Sequence, residues 1–166
     1  KYDCIVMVDD SHATGFVGKN GRGTAELCEV EGRVDIISST LGKAIGGAGG
    51  GFIVSNKEIV EKLRNKSRPY LFSNNMVPAV SAVAIAILDD LKISQGLIQK
   101  LVDNSAYFRK KMTDAGFNLR AGNHPIIPVM FGDNEKLASD FAKDLIEKES
   151  IYAVAFSFPV VPSSEI

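Results

Sequence analysis

Short apolar runs alternate with glycine-rich segments over the first third of the chain. CIVMV at residues 4–8 is a continuous apolar run, typical of a strand buried on both faces of a parallel sheet. VDIISST at 34–40 and FIVS at 52–55 predict two further strands. Glycines at 15–23 and 42–51 predict loops. The pattern therefore predicts a parallel α/β sheet, with functional residues at the carboxyl ends of its strands.

Helical periodicity follows the third strand. Asn56 is a preferred N-cap residue before the helical segment KEIVEKLRNK. Pro78 suits the first turn of a helix that runs to about Lys92. A longer helix is predicted over about 94–115, because its apolar residues recur at helical spacings. The segment SRPYLFSNN at 67–75 is expected to be irregular.

The last third of the chain predicts a second, smaller domain. PIIPVMF at 125–131 predicts an edge strand, because its two prolines cannot donate hydrogen bonds to a ladder. LASDFAKDLIEKE at 137–149 predicts an amphipathic helix, and IYAVAF at 151–156 another strand. We therefore expect an α/β domain over 1–92 and part of an α+β domain over 93–166. Both ends suggest a piece of a longer protein.

Composition and charge exclude two classes of partner. The 166 residues carry a net charge of −1, so the chain lacks the basic footprint that nucleic-acid binding requires. The longest apolar runs, such as AVSAVAIAIL at 79–88, are too short to span a bilayer. We therefore expect no nucleic-acid partner and no membrane partner.

Polar residues gather where the first strand ends, in the segment VDDSHATG. Asp9, Asp10 and His12 could supply metal ligands. The only other histidine, His124, lies in the other predicted domain, which makes a metal site the weaker alternative. Ser11 and His12 are neighbours on extended backbone and point in opposite directions, so they cannot form a nucleophile–base pair.

The glycine-rich segment after the second strand matches no nucleotide-binding motif. A P-loop needs Ser or Thr after the Gly-Lys pair, but Lys43 is followed by Ala44, and Phe52 interrupts a GxGxxG pattern. Lys43 can be an ordinary solvated lysine. It can also be packed among small residues, where desolvation favours the neutral amine that attacks a carbonyl. These residues leave both interpretations open.

Asp9 favours the second interpretation. A carboxylate at the end of a buried strand needs a positive partner or several hydrogen-bond donors, and a protonated pyridine nitrogen would serve as the positive partner. Pyridoxal phosphate (PLP) chemistry requires an acidic partner for that nitrogen and a lysine that forms a Schiff base. Asp9 and Lys43 follow the first and second predicted strands, so they are candidates for these two roles.

Three segments together resemble a known family. DDSHATGFVGKNGRGTAE at 9–26, STLGKAIGGAGGGFIVS at 39–55 and SRPYLFSN at 67–74 are similar to the α-oxoamine synthases, which are PLP-dependent. The resemblance implies an α/β fold. The chain would form part of the large domain of a PLP-dependent transferase (aspartate aminotransferase, fold type I), with a parallel-type sheet, and part of a smaller α+β C-terminal domain.

The resemblance also implies a role for each matching residue. Lys43 forms the Schiff base with PLP and moves the α-proton of the substrate as acid and base. Asp9 pairs with the pyridinium nitrogen, and His12 donates a hydrogen bond to the 3-oxygen of the ring. Thr40, three residues before the lysine, contacts the phosphate.

Ser73 and Asn74 are implied to reach the phosphate of the neighbouring subunit's cofactor, in a homodimer with shared active sites. SRPYLFSN and HPIIPVMFGD are similar to the branch of the family that joins glycine and acetyl-CoA to give 2-amino-3-oxobutanoate and CoA. That reaction runs in reverse in threonine breakdown. The implied location is the cytoplasm, or the mitochondrion of a eukaryote. We expect the isolated piece to be inactive, because family residues that bind the cofactor and substrate are missing from it.

Two alternatives stay open. The substrates could be another acyl-CoA and amino acid, as in the synthesis of 8-amino-7-oxononanoate, 5-aminolevulinate or the serine palmitoyl product. Alternatively, the chain could be a non-catalytic α/β binding module in which Asp9, His12 and Lys43 are structural.

Overall fold

The protein divides into two compact units, Lys1–Leu101 and Val102–Ile166. The division falls inside a helix, Gly96–Asp114. The domain boundary expected at residues 92 and 93 stays a prediction. The computed structural model describes residues 2–46, 49–93 and 96–162.

The predicted helices and two of the predicted strands are confirmed over the described residues, whereas the short helices Thr24–Leu27 and Arg68–Phe72 were not predicted. Asn56 caps the helix Lys57–Lys66 as expected, because its side chain accepts a hydrogen bond from the N–H of Ile59 at 2.9 Å. Residues 94 and 95, the predicted start of the longer helix, lie outside the described residues. The strands are β1 (Met7–Asp9), β2 (Ile36–Thr40) and β3 (Gly51–Ser55), and the helices are α1 (Thr24–Leu27), α2 (Lys57–Lys66), α3 (Arg68–Phe72), α4 (Pro78–Ile93), α5 (Gly96–Asp114) and α6 (Glu135–Glu149).

The described sheet is mixed, with the strand order β1-β2-β3. β1 and β2 pair in parallel, as the sequence predicted, and the structure places Asp9 opposite Ser38. β2 and β3 pair antiparallel, with Thr40 opposite Gly51, so the expectation of a wholly parallel sheet is wrong. The connection over residues 41–50 explains this difference, because a parallel pair needs a longer crossover that usually contains a helix.

The first strand is shorter and more exposed than predicted. Only Met7–Asp9 form β1, and Ile5 and Met7 are 70% and 58% exposed. The prediction of a strand at residues 4–8 buried on both faces is therefore wrong. β1 is an edge of the described sheet, so no second neighbouring strand covers it there.

The core of the first unit lies beside the segment that carries Lys43. Leu41, Ile45 and Ala84 are 3%, 1% and 7% exposed and pack together. Phe52 of β3 and residues on α4 pack against this cluster. The core therefore attaches the segment after β2 to both β3 and α4.

The second unit contains α6 and an aromatic cluster. The side chain of Asn134 caps α6 by accepting a hydrogen bond from the N–H of Leu137 at 3.0 Å. The ring centroid of Phe141 lies 5.9 Å from that of Phe117 and 5.3 Å from that of Phe131. Such tilted aromatic pairs stabilise a small core.

The two strands predicted for the second unit are wrong. At 125–131 the described chain forms only an isolated bridge between Leu119 and Val129. The prolines interrupt the donors that a ladder needs. At 151–156 the described residues form no strand. An apolar run becomes a strand only where a partner backbone supplies hydrogen bonds.

Candidate active site

A tight turn follows β1 and carries His12. The N–H of Asp10 donates to the Ser38 carbonyl at 2.8 Å, which extends the parallel ladder past Asp9. The Asp10 carbonyl then accepts hydrogen bonds from the N–H groups of Ala13 and Thr14, both at 2.9 Å. These bonds close the turn, and the exposed His12 side chain lies on it.

A second turn follows β2 and carries Lys43. Leu41 and Ile45 on either side of it are buried in the core, whereas Lys43 itself is exposed. The expectation of a lysine packed among its small neighbours is therefore wrong for this structure. The physical reason is that the two flanking apolar residues occupy the core, and the residue between them faces away from it.

The two turns lie in close contact at Gly15 and Ile45. A Cβ atom on Gly15 would lie 2.6 Å from Cδ1 of Ile45, and Gly15 has a φ of +97°. Any larger residue at this position would force the Ile45 side chain to shift and would strain the backbone. The contact holds the His12 turn against the Lys43 turn.

The consequence is that Lys43 and His12 meet. Nζ of Lys43 lies 2.9 Å from Nε2 of His12. An ammonium group only donates hydrogen bonds, so a charged Lys43 requires Nε2 to be the accepting nitrogen of a neutral imidazole. The structure thus brings together two of the residues that the sequence singled out for chemistry.

Asp9 is the last residue of β1. Its carboxylate is exposed, which corrects the expectation that it lies at the end of a buried strand. The pKa of Asp9 is lowered from its ordinary value, chiefly by hydrogen bonds from the Ser11 side chain and N–H, and further by the charges of Lys43 and His12. The N–H of Ser11 lies 2.9 Å from Oδ1. Asp9 is therefore held in its ionised form.

The buried acid of this segment is Asp10, which the sequence singled out only as a candidate metal ligand. Asp10 is 1% exposed, and its carboxylate accepts hydrogen bonds from the backbone N–H of Thr24, at 3.0 Å, and from the Thr24 hydroxyl. Gly23, the residue before Thr24, is the N-cap of α1. It has no side chain that could accept a hydrogen bond from the first N–H groups of the helix. Asp10 therefore takes the place of a local cap. No local sequence signal marks this contact, because Asp10 and Thr24 are 14 positions apart.

A second carboxylate, that of Glu26, organises the glycine-rich loop. Burial opposes its ionisation, but hydrogen bonds from the N–H of Arg22 and from the side chain and N–H of Asn20 outweigh burial and lower the pKa of Glu26. A Cβ atom on Gly18 or on Gly23 would overlap the carboxylate of Glu26 or of Asp10, respectively. These two glycines therefore make room for carboxylates.

The other candidates lie around these turns. The Thr40 hydroxyl donates to the Gly50 carbonyl at 3.2 Å and accepts from the N–H of Gly42 at 3.1 Å. Ser73 is the C-cap of α3, and Ser73 and Asn74 are both exposed. Within the described part of the chain, neither forms a hydrogen bond with Lys43.

The described residues contain neither a metal-binding cluster nor a membrane-spanning helix. Over 2–46, 49–93 and 96–162, no group of three or more His, Cys, Asp or Glu side chains could hold a metal ion. Over the same ranges, no helix combines the length and the apolar composition needed to cross a membrane.

Comparison with curated proteins gives long matches. The chain is 53% identical over 165 residues to the 2-amino-3-ketobutyrate coenzyme A ligase of Escherichia coli K12, and 48% identical over 165 residues to the mitochondrial protein of that name from Mus musculus. Each match covers 99% of this chain, but only 41% of the bacterial protein and 39% of the mouse protein. The chain therefore spans about two fifths of the length of these relatives.

Solved structures match the fold. The Sphingomonas wittichii serine palmitoyltransferase superimposes with a TM-score of 0.88 at 30% identity, over 98% of this chain and 40% of that chain. A structure of SPT with PLP gives a TM-score of 0.88 at 29% identity, over 98% and 41%. These matches confirm the predicted fold class, that of the fold type I PLP-dependent transferases. The family model for aminotransferase class I and II matches residues 1–165, and the chain belongs to this family.

Proposed function

We propose that the full-length protein is a PLP-dependent glycine C-acetyltransferase, and that the site around Lys43 is part of its active site. The observation that carries the proposal is the 2.9 Å contact between Nζ of Lys43 and Nε2 of His12, beside the ionised Asp9. The 53% identity to a 2-amino-3-ketobutyrate coenzyme A ligase supports glycine and acetyl-CoA as substrates over the substrates of other family members.

The donor set fits PLP. Lys43 offers a primary amine for covalent attachment, and the amine is accessible because the side chain is exposed. Asp9 offers a carboxylate whose pKa is lowered, so it is negatively charged and can hold a protonated pyridine nitrogen. His12 offers a ring nitrogen within hydrogen-bond distance of the lysine. Thr40 would contact the phosphate through its hydroxyl.

The proposed reaction joins the Cα of glycine to the acetyl carbonyl carbon of acetyl-CoA. The C–S bond of the thioester breaks, and the products are 2-amino-3-oxobutanoate and CoA. When bound, PLP supplies an electron sink for the negative charge that develops at Cα. Lys43 Nζ takes the proton from Cα, and that proton balances the charge of the departing CoA sulfur. With PLP bound, Asp9 would keep the ring nitrogen protonated, and His12 would orient Lys43 and the ring.

We further propose an assembly and a cellular location for the full-length protein. Ser73 and Asn74 would reach the phosphate of a second subunit's cofactor, so the full-length protein would be a homodimer with shared sites. The enzyme would act in the cytoplasm, or in the mitochondrion of a eukaryote, and would operate in threonine degradation in the reverse direction. The isolated 166-residue piece would be inactive.

The test is borohydride trapping in the full-length, PLP-loaded protein. Reduction should attach the cofactor irreversibly to the peptide that contains Lys43, and Lys43→Ala should abolish both the attachment and the formation of 2-amino-3-oxobutanoate. Lys57→Ala is a matched control, because Lys57 is an exposed lysine at the start of α2. It should leave both readouts unchanged. Attachment to another lysine would contradict the proposal.

A separate experiment tests the choice of glycine and acetyl-CoA as substrates. Glycine, alanine and serine should be assayed with short-chain and long-chain acyl-CoAs in the full-length enzyme. We expect the highest kcat/KM for glycine with acetyl-CoA. A preference for serine with a long-chain acyl-CoA would assign the protein to another branch of the family while leaving the role of Lys43 intact.

A further inference from the structure

We propose that Asp10 is a positioning residue for the proposed reaction, and that its bond to Thr24 sets the position of His12 relative to Lys43. The inference rests on the proposed function, because it assigns Asp10 a role in that same site. Asp10 does not contact the proposed reacting groups. It acts through the turn that carries His12.

Asp10 is deeply buried. At 1% exposure it is one of the two largest fully buried side chains of the described residues. Among those residues, no lysine, arginine or histidine forms an ion pair with it. A buried carboxylate is costly unless hydrogen bonds compensate it, and both donors come from Thr24. The buried Asp10 carboxylate therefore depends on its hydrogen bonds from Thr24 to offset the cost of burial.

Asp10 contacts three parts of the site through three different groups. Its N–H donates to Ser38 of β2, the strand that leads to Lys43. Its carbonyl closes the turn of His12 by accepting hydrogen bonds from Ala13 and Thr14. Its carboxylate holds the start of α1 at Thr24. Rotation or displacement of Asp10 therefore moves the His12 turn relative to β2.

The loop between Asp10 and Thr24 is built around the hydrogen bonds that join these two residues. A Cβ atom on Gly23 would overlap Oδ2 of Asp10, so the glycine beside Thr24 admits the carboxylate. The N–H of Gly23 donates to the Val17 carbonyl, and the N–H of Gly15 donates to the Gly21 carbonyl, at 2.9 Å and 2.8 Å. The segment between Asp10 and Thr24 is thus a closed loop, which transmits the position of Thr24 to the His12 turn.

The test uses Thr24→Val and Thr24→Ser in the full-length holoenzyme. Thr24→Val keeps the backbone donor but removes the hydroxyl donor to Asp10, whereas Thr24→Ser keeps both. The first readout is the absorption band of the lysine-bound cofactor as a function of pH, without substrate. We expect Thr24→Val to shift the midpoint of this titration and to weaken PLP binding. We expect kcat to fall by roughly 10- to 100-fold, as for a displacement of up to about 1 Å.

Thr24→Ser should restore the parent titration midpoint, PLP affinity and kcat. The thermal midpoint is measured in parallel, because a merely structural role would lower Tm without moving the titration midpoint. That outcome, or a Thr24→Val variant with the parent spectrum and kcat, would overturn the inference. If the Thr24 variants do not fold, Asp10→Asn replaces them, with the same expected shift and the same overturning result.

Failure of the inference and failure of the proposed function are separable. The parent holoenzyme is first reduced with borohydride. Absence of cofactor on the Lys43 peptide contradicts the proposed function and with it the inference. Presence of that adduct together with an unshifted titration in Thr24→Val contradicts the inference alone.

Discussion

Nζ of Lys43 lies 2.9 Å from Nε2 of His12, although the two residues are 31 positions apart in the chain. The contact arises because parallel pairing of β1 and β2 brings the ends of both strands to the same edge of the sheet. The turns that follow then meet at Gly15 and Ile45. The geometry of the proposed active site therefore depends on Gly15 and Ile45, which have no reactive side-chain groups.

Removal of the imidazole should weaken catalysis while the fold is retained. His12→Phe keeps a ring but loses Nε2, which contacts Lys43. A hydrogen bond to a charged group is worth about 1.5–3 kcal/mol, so kcat/KM of the full-length enzyme should fall by ~10- to 100-fold. The control is His124→Asn in the second unit, which should retain the parent kcat/KM. Equal losses in the two variants would contradict the role of His12.

The ionisation of Asp9 should depend on Ser11. The Ser11 side chain and N–H are the main causes of the lowered pKa of Asp9, so Ser11→Ala should raise that pKa part of the way to its ordinary value. Because the folded pKa lies below the unfolded one, this interaction stabilises the folded protein above the unfolded pKa. The stabilisation is lost as the pH falls through the folded value.

A carboxyl-carbon NMR titration of the cofactor-free full-length protein measures this pKa. Ser81→Ala, a serine change on α4, is the control and should leave the Asp9 titration where it is. An unchanged Asp9 midpoint in Ser11→Ala would show that Ser11 does not hold the carboxylate in its ionised form.

Gly15→Ala should disturb the contact between the two turns. Gly15 has a φ of +97°, and its Cβ would lie 2.6 Å from Cδ1 of Ile45. Gly32→Ala is a matched control, since Gly32 has a φ of +82° and nothing within 4 Å of its Cβ. Backbone strain alone should cost about 1–2 kcal/mol in the control. Gly15→Ala should cost an additional ~1–3 kcal/mol for overpacking.

Urea unfolding of both glycine variants in the full-length protein gives these costs. Only Gly15→Ala should also reduce borohydride trapping at Lys43, because only this change separates the turns. Equal costs for the two variants, with trapping intact in both, would mean that the Gly15–Ile45 contact does not position the site.

Shortening Ile45 should destabilise the protein in proportion to the volume removed. Ile45 is 1% exposed and packs with Leu41 and Ala84, so the space it leaves cannot be filled by solvent. Ile45→Val should cost about 0.5–1.5 kcal/mol and Ile45→Ala about 2–5 kcal/mol of unfolding free energy. Urea denaturation measures both. Similar costs for the two variants would argue against a tightly packed core beside Lys43.

Local patterns in the sequence predicted the helices well. Asn56 and Pro78 mark helix starts that the structure contains, because capping and proline geometry act within one turn of chain. The predicted strands at 125–131 and 151–156 are wrong, because strand formation depends on a partner elsewhere in the chain. The short helix α3 was missed for a related reason, since five residues carry little periodicity.

The candidate site shows the same division. The motifs around Asp9, His12 and Lys43 were recognisable from residue order and spacing. Their surroundings were not: the buried acid is Asp10 rather than Asp9, and Lys43 is exposed. Alternation along an extended strand predicts opposite faces, but it does not predict which face another segment covers.

The sequence by itself determined which residue types are available for chemistry, where the chain turns and where most of its helices begin. Only the tertiary structure decided that Lys43 meets His12, that Thr24 binds Asp10, and that β3 runs antiparallel to β2. The physical reason is how far apart along the chain the interacting residues lie. Caps and turns depend on neighbours a few residues away, whereas burial, strand pairing and side-chain contacts depend on segments that meet only when the chain has folded.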